Sequence, residues 1–239
     1  MSNFPFRRLQ TQLAEMISSL PPESRLPSEP YLAKQLGVSR ATLREAMRAF
    51  EGQGLIRRRQ GVGTFVVGRI PILESGLEVL ESIETLAQRI GLPVHIGDLQ
   101  VEQVSADVSL AAATGVPEGS PLTRVTRVFF TDQTPIAYLI DILPVNVLDR
   151  AELDSGFTGS VLDLLLSRGT PELAQSRTEI RAIGATPEVA RALQVQRDDV
   201  LLQFVAYLYS TAGKVVDHSI SYFLPGYFRF HVVRKVGVG

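Results

Sequence analysis

The chain has 239 residues, no cysteine and a formal net charge of −1. The lack of cysteine excludes disulfide bonds, thiolate catalysis and cysteine-ligated zinc. No apolar run approaches the roughly 20 residues that span a bilayer, and no signal-peptide core follows the first residues, so we expect a cytoplasmic protein without a membrane partner. The length suits one small and one medium domain.

The first part of the chain predicts three helices. Apolar residues between Arg7 and Leu20 recur on one helical stripe, which indicates the first helix. A short second helix is predicted from Ser28, a candidate N-cap, to about Leu36, and a third from Ser39 to about Gln53. Gly37 lies between them and permits a left-handed turn. The pattern is typical of a helix-turn-helix.

The third predicted helix has two different faces. Leu43, Met47 and Phe50 recur at helical spacing and are expected to face the core. Arginines recur every four residues on another face, at Arg40, Arg44 and Arg48. The start of such a helix enters the major groove, where one arginine bound to guanine contributes roughly 1–3 kcal/mol of discrimination. We therefore expect one face to pack and the other to read DNA.

A basic hairpin, the wing, is predicted after the third helix. Its strands are Leu55 to Arg59 and Thr64 to Val67, joined through Gly61 and Gly63. An alternative is that the arginines of the third helix form only a solvated face, and that Arg57 to Arg59 form only an exposed edge strand protected by its charge. The charge distribution favours DNA binding by the first domain. Residues 1–69 hold 11 Lys+Arg against 5 Asp+Glu, whereas residues 70–239 hold 13 Lys+Arg against 20 Asp+Glu.

The segments LPSE, LAKQLGVSR, TLREAMR and GLIRRRQGVGTFV resemble the N-terminal domain of GntR-type bacterial transcription regulators. The resemblance implies that Arg40 and Arg44 read bases, with phosphate contacts near Ser39, Thr42, Arg58, Gly61, Gly63 and Thr64. Ser28 and Arg48 complete the set of candidate DNA-binding residues. Pro30 and Tyr31 stand where the family usually has Arg and Glu, and that Arg commonly helps to read the operator. The operator sequence therefore stays open.

A linker is predicted at residues 69–75, between a DNA-binding domain at 1–68 and a second domain at 76–239. The second domain is expected to begin with an amphipathic helix from about Leu77 to Ile90. A weak repeat follows at an offset of 79 residues, since VPEGSPLTRVTRVFF at 116–130 resembles VQRDDVLLQFVAYLY at 195–209. Each copy predicts a short helix, a strand, a tight hairpin and a returning strand. With a further helix at Ser160 to Arg168, this predicts an α+β domain with one antiparallel sheet.

The repeat, together with SIETLAQRIGLPV and HSISYFLPGYFRFHVV, resembles the UTRA effector-binding domain of HutC-type GntR regulators. The resemblance implies a chorismate-lyase-like sheet that binds a small molecule on one face, and a homodimer formed through this domain. Members that bind phosphorylated sugars often carry two arginines two residues apart. The matching positions here are Arg127 and Phe129. Glu84 stands where a small hydroxyl is usual, and Leu139 where an acid is expected.

These departures disfavour a phosphosugar effector, because the Glu84 carboxylate would repel a phosphate in a site of low dielectric. We predict a neutral, apolar or cationic effector held by Phe129, Leu139, Leu162 and Phe223. Polar contacts are expected from Glu84, Arg127, Ser160 and Asp217. Two alternatives stay open: the apolar side chains fill a pocket without a ligand, or Arg127 forms a structural ion pair with Asp141.

The predicted function is a regulator of transcription, with repression by promoter occlusion as the default. A dimer would bind an inverted-repeat operator in double-stranded DNA, and effector coupling of roughly 1–3 kcal/mol would change affinity by about 5–150-fold. One alternative is an effector-independent DNA-binding protein whose second domain only dimerises. Another is a lyase-like enzyme, although no nucleophile–base pair or phosphate loop is found. The three histidines lack a metal-binding spacing, so we expect no cofactor or metal.

Overall fold

The structure is a computed structural model that describes residues 4–52, 54–59, 61–67, 73–153, 157 and 159–234. Its first elements are α1 (Phe4–Ser19), α2 (Glu29–Gln35), α3 (Arg40–Gly52), β1 (Ile56–Arg59) and β2 (Gly63–Val66). The predicted helix-turn-helix and wing are therefore confirmed. Their core is formed by Leu9, Leu13, Leu32, Leu43, Met47 and Ile56. None of the helices in the described part of the chain is long and apolar enough to cross a membrane.

The N-terminal caps of α2 and α3 differ. Ser39 caps α3 as predicted, because its Oγ accepts the Thr42 N–H at 3.0 Å. Ser28 precedes α2, but its side chain makes no capping hydrogen bond. One of the two amides that usually donate to such a cap belongs to position 30, which is proline and has no N–H. The predicted helix is present, whereas the predicted role of the Ser28 hydroxyl is wrong.

The second part of the chain is built on a six-stranded antiparallel sheet with the strand order β4-β5-β6-β9-β8-β7. The strands are β4 (His95–Ser105), β5 (Pro121–Thr131), β6 (Thr134–Pro144), β7 (Leu173–Gly184), β8 (Val200–Ser210) and β9 (Val215–Phe223). The other elements are β3 (Leu73–Gly76), α4 (Ile83–Ile90), α5 (Val108–Thr114), α6 (Arg150–Leu153), α7 (Val161–Arg168), α8 (Pro187–Ala192) and β10 (Phe228–His231). This confirms the α+β class.

The predicted repeat is present and is longer than the sequence indicated. Each copy runs strand, helix, strand, strand, as β4-α5-β5-β6 and β7-α8-β8-β9. The copies meet where β6 pairs with β9, from Ala137 opposite Phe223 to Ile142 opposite His218. The edge strands β4 and β7 were not predicted as separate elements, because much of both is exposed and neither has a clear apolar alternation.

Two boundaries near the start of the second domain differ from the prediction. The helix expected from Leu77 begins at Ile83, because Ser82 accepts the Thr85 N–H at 3.0 Å and caps it. Residues 77–82 instead form a turn segment that we call the cover. Of the predicted linker, residues 69–72 lie outside the described residues, and residues 73–75 belong to β3, which pairs in parallel with β10.

Candidate functional site

The helix α3 presents its arginines to solvent. Arg40 and Arg44 are exposed near its N-terminal end, while Leu43 and Met47 are buried on the opposite side. Arg44 Nε contacts Glu29 Oε2 at 2.6 Å, although the Arg44 side chain stays 53% exposed. Exposed ion pairs of this kind contribute little, about 0–1 kcal/mol, so DNA can replace Glu29 at low cost.

The candidate phosphate contacts divide into exposed and buried positions. Ser28, Ser39 and Gly61 are exposed, and Thr42 and Gly63 are half-buried. The Thr42 hydroxyl lies 2.8 Å from that of Ser39, so both oxygens are presented together at the start of α3. Thr64 is 8% exposed, so its side chain offers little surface to a phosphate.

Arg58 is also less accessible than the sequence indicated. Its side chain is 9% exposed and lies between Glu51 at 3.7 Å and Glu29 at 4.0 Å. Its backbone N–H donates to Glu51 Oε1 at 3.2 Å. Burial raises the pKa of the Glu51 carboxyl, while Arg58 opposes that rise. A phosphate contact by Arg58 therefore requires a rearrangement of this acidic pair.

The DNA-binding domain packs against the second domain through a surface that we call the domain contact. From the first domain it contains Arg48, Glu51, Gly54 and Arg57, which line a cavity of about 210 Å³. The Arg57 Nη1 donates to Thr134 Oγ1 at the β5–β6 turn, and the Tyr227 hydroxyl interacts with both groups. A Cβ added at Gly54 would lie 2.4 Å from the Gly226 Cα. Arg48 thus faces the second domain as well as solvent.

A larger cavity, the effector cavity, has a volume of about 690 Å³ and lies on one face of the six-stranded sheet. Its floor includes alternate residues of β9, namely Asp217, Ser219, Ser221 and Phe223, because every second strand residue faces the same side. Its walls come from β3, the cover, α4, α7 and β10. Seven predicted residues line it: Glu84, Arg127, Leu139, Ser160, Leu162, Asp217 and Phe223.

One end of the effector cavity is polar and buried. Arg127 Nη1 is paired with Asp141 Oδ2, which confirms the ion pair that the sequence left open. Burial raises the pKa of Asp217 well above its usual range, and the neighbouring Asp141 raises it further. Burial also raises the pKa of Glu84. Among the described residues, Glu84 Oε1 and Asp217 Oδ1 have no hydrogen-bond partner.

Phe129 lies outside this cavity, contrary to the sequence-based hypothesis. Its ring is on the same strand face as Arg127, whose Cζ is 5.8 Å from the ring centroid. The residue is 0% exposed in a core cluster that includes Ile83 and Leu86 of α4. Strand alternation therefore gave the correct face but the wrong environment. We assign Phe129 to the core.

Ser160 combines a local and a cavity position. It is buried, and its Oγ accepts the Asp163 N–H at 3.0 Å to cap α7. Sequence reasoning missed further lining residues, among them Phe204, Phe228 and Phe230. Phe228 and Phe230 are two residues apart on β10, which would have placed them on one strand face. Nothing in the sequence showed that β10 borders the cavity, since its pairing partner β3 is far away in the chain.

The chain matches two family models over most of its length. Residues 6–66 match the bacterial regulatory proteins of the gntR family, and residues 91–229 match the UTRA domain. The chain belongs to the GntR family of bacterial regulatory proteins. This GntR regulator is of the HutC type and is a DNA-binding transcription regulator with a UTRA effector domain, as the sequence predicted.

Relatives of this GntR regulator include named repressors. The "Histidine utilization repressor" of Pseudomonas putida is 30% identical over 203 residues, covering 82% of this chain and 79% of the relative. The "HTH-type transcriptional repressor NagR" of Bacillus subtilis (strain 168) is 26% identical over 223 residues, covering 93% of this chain and 90% of the relative. The solved structure of PhnF from Mycobacterium smegmatis has a TM-score of 0.64 at 22% identity, covering 96% of this chain and all of that one, which supports the fold.

Proposed function

We propose that this regulator is a cytoplasmic repressor that binds an inverted-repeat operator as a homodimer. The observation that carries the proposal is the exposed pair Arg40 and Arg44 at the start of α3, on the side opposite the domain core. Two arginines one turn apart suit two neighbouring guanines in the major groove. The named repressors among its relatives favour the repressing sign.

The charge distribution supports a dimer on DNA. Each chain has one basic DNA-binding domain, whereas residues 70–239 carry 20 acidic and 13 basic side chains. The second domain is therefore a poor surface for a phosphate backbone. Winged and other helix-turn-helix proteins gain specificity by placing two reading helices on two half-sites. A second copy of this chain supplies the second helix in the simplest way.

The segment from Gly226 to Phe230 supports a route from ligand to DNA. Gly226 and Tyr227 belong to the domain contact, and Phe228 and Phe230 line the effector cavity. The adjoining strand β3 pairs with β10 and places Ser75 and Gly76 in the same cavity wall. A ligand that moves β10 therefore also moves the surface on which the DNA-binding domain rests. We propose that this shift changes the population of DNA-competent dimers.

The acidic residues of the effector cavity argue against a phosphosugar. Its polar end holds Glu84, Asp141 and Asp217 around Arg127. A phosphate placed there would meet these carboxylates at short range in a site of low dielectric. We propose that these groups bind a ligand and do not catalyse a reaction. Chemical turnover of a bound ligand would contradict this role.

Fluorescence anisotropy tests the DNA-binding part. The purified full chain is titrated onto its own upstream intergenic DNA and onto a scrambled duplex of the same length, at several salt concentrations. We expect preference for the upstream DNA that persists at physiological salt. Equal and steeply salt-sensitive binding to both duplexes would instead indicate a general DNA binder, or an operator located elsewhere.

Sedimentation of the same protein with and without DNA tests the dimer. We expect a dimer in both samples and two chains per operator duplex. A monomer that binds one half-site with full specificity would contradict the proposed architecture. An upstream operator without inverted symmetry would contradict it independently.

A further inference from the structure

The effector cavity carries an excess of acidic groups over its whole surface. Among the described residues that line it, Arg127 is the one base, and the acids are Glu78, Glu81, Glu84, Asp141 and Asp217. Arg127 is already paired with Asp141. Glu81 contacts Arg89 at 2.8 Å, and Glu78 accepts the Val233 N–H. Glu84 and Asp217 remain, and Asp217 interacts with Asp141 and the Ile142 N–H through part of its carboxyl only.

Glu84 and Asp217 lie at the same end of the cavity. Both carboxyls interact with Arg127 and with Asp141, although they come from α4 and β9. Each has one buried oxygen without a hydrogen-bond partner among the described residues, Glu84 Oε1 and Asp217 Oδ1. Buried acceptors without a donor are costly, and an ionised carboxylate is more costly still. These two oxygens therefore favour a ligand that brings N–H donors and positive charge.

The remaining wall is apolar and largely aromatic. Phe204 packs against Phe223 with ring centroids 5.0 Å apart and against Phe230 at 4.5 Å. Phe228 completes this cluster, 4.7 Å from Phe223. Leu139, Leu162 and Ile180 extend the apolar surface. A ligand that fills the cavity must therefore join a polar head to an apolar body.

We propose that the effector is a small organic cation, with an ammonium or amidinium head bound by Glu84 and Asp217 and an aromatic or branched alkyl body against the phenylalanines. The inference rests on the proposed function, since it names the ligand class for the same cavity. An ammonium group offers three donors, which suits two carboxylates that accept hydrogen bonds. The volume of about 690 Å³ is in the range of sites that hold one small molecule.

The electrostatics of the two carboxyls agree with this assignment. Burial raises the pKa of Asp217 and of Glu84, and the adjacent Asp141 adds to the effect at Asp217. Both shifts show that ionised carboxylates are disfavoured at this end of the cavity. A bound cation would offset the repulsion among the three acids, whereas an anion would increase it.

Isothermal titration calorimetry on the full-length protein tests the ligand class. The probes are phenethylamine, phenethyl alcohol and hydrocinnamate, which share an aromatic body and carry a cationic, a neutral and an anionic head. Isoamylamine and isoamyl alcohol repeat the comparison with a branched alkyl body. We expect at least one amine to bind at least about tenfold more tightly than its alcohol, and the anion not to bind.

Two variants locate the cation. Asp217→Asn resembles the protonated carboxyl, and Glu84→Gln lies on the half-buried side of α4, so each variant should fold cooperatively, which a thermal melt checks. Both should reduce amine affinity about tenfold and leave alcohol affinity unchanged. Glu118→Gln removes the same charge from an exposed turn outside the cavity and serves as the control.

Four results overturn the ligand class: no saturable binding by either amine, equal affinity for each amine and its alcohol, tighter binding of hydrocinnamate, or equal effects of all three variants. Operator binding is measured in parallel by anisotropy. Amine binding that leaves operator affinity unchanged would contradict the proposed regulation and leave the ligand class intact. Operator binding without any amine binding would contradict the ligand class alone.

Discussion

The DNA-binding surface and the effector cavity differ in how their residues are assembled. Arg40 and Arg44 are one helical turn apart on α3, so a local pattern suffices to place them together. Glu84, Arg127 and Asp217 come from α4, β5 and β9, and only strand register brings them to one wall. A local site can be read from spacing, whereas a site built from distant strands depends on which strands are neighbours.

The two regions also differ in how they treat charge. The arginines of α3 stay near solvent, where an exposed partner such as Glu29 is exchanged easily. The charges of the effector cavity are buried, and there each unpaired oxygen carries a large cost. The first arrangement suits a long polyanion, and the second suits a small ligand with fixed donors.

The largest expected effect separates core from cavity. Phe129→Ala should lower the free energy of unfolding by about 3–5 kcal/mol, because it removes a fully buried ring. Urea denaturation measures the change. Leu139→Ala, on the half-buried cavity wall, is the matched control and should cost less. If Phe129→Ala left the stability unchanged and abolished amine binding, Phe129 would be a cavity residue and its assignment to the core would be wrong.

The next effect tests the reading helix. Arg40→Ala should weaken operator binding by roughly 1–3 kcal/mol and reduce the preference over scrambled DNA, because one base contact is lost. Fluorescence anisotropy at fixed salt measures both quantities. Arg181→Ala removes one exposed positive charge from β7 and should leave operator binding unchanged. Equal losses in the two variants would mean that Arg40 contributes only net charge.

A smaller effect tests the domain contact. Gly54 and Gly37 both have a φ near +67°, at +68° and +66°, so alanine at either position costs about 1–2 kcal/mol of backbone strain. Only at Gly54 would the new Cβ meet Gly226, whereas nothing lies within 4 Å at Gly37. Hydrogen exchange should therefore show loosening around Tyr227 in Gly54→Ala alone. Similar exchange in the two variants would argue against this packed contact.

The smallest effect is a slope of stability with pH. Burial raises the pKa of Asp217 above its usual 3.8, so the folded state keeps a proton that the unfolded state releases. Stability should fall as pH rises from about that usual value through the raised pKa, by less than about 1.4 kcal/mol per pH unit. The groups facing Asp217 are Asp141, Arg127 and the Ile142 N–H.

Unfolding curves of Asp217→Asn against pH check this expectation. The variant should lose the decline that the wild type shows, while Asp132→Asn, in the exposed β5–β6 turn, should keep it. Parallel curves for the wild type and Asp217→Asn would show that the carboxyl titrates normally in the folded protein.

Much of the fold could be predicted because its signals are local. The caps of α3, α5, α7 and α8 lie at Ser39, Asp107, Ser160 and Thr186, as serine, threonine or aspartate before an apolar pattern. The hairpins β5–β6 and β8–β9 were visible as a repeat with turn signals. The start of α4 was misplaced because Leu77, Val79 and Leu80 continue an apolar pattern through the cover, although all three are exposed.

The effector cavity was only partly predictable. Arg127, Asp217 and Glu84 were found by resemblance and strand alternation, and all three line the cavity. The prediction for Phe129 was wrong because alternation specifies a strand face but not whether a residue on that face is buried in the core. The environment of Arg58 was likewise not predictable, since spacing could not show that Glu29 and Glu51 lie beside its guanidinium.

The sequence by itself determined the helix-turn-helix, the wing, the arginine face of α3 and the repeated strands, because each depends on residues a few positions apart. Tertiary structure alone decided the parallel pairing of β3 with β10, the aromatic wall of the cavity and the contact between Arg57 and Thr134. These features join segments distant in the chain. Their positions follow from the packing of whole layers, which no short pattern encodes.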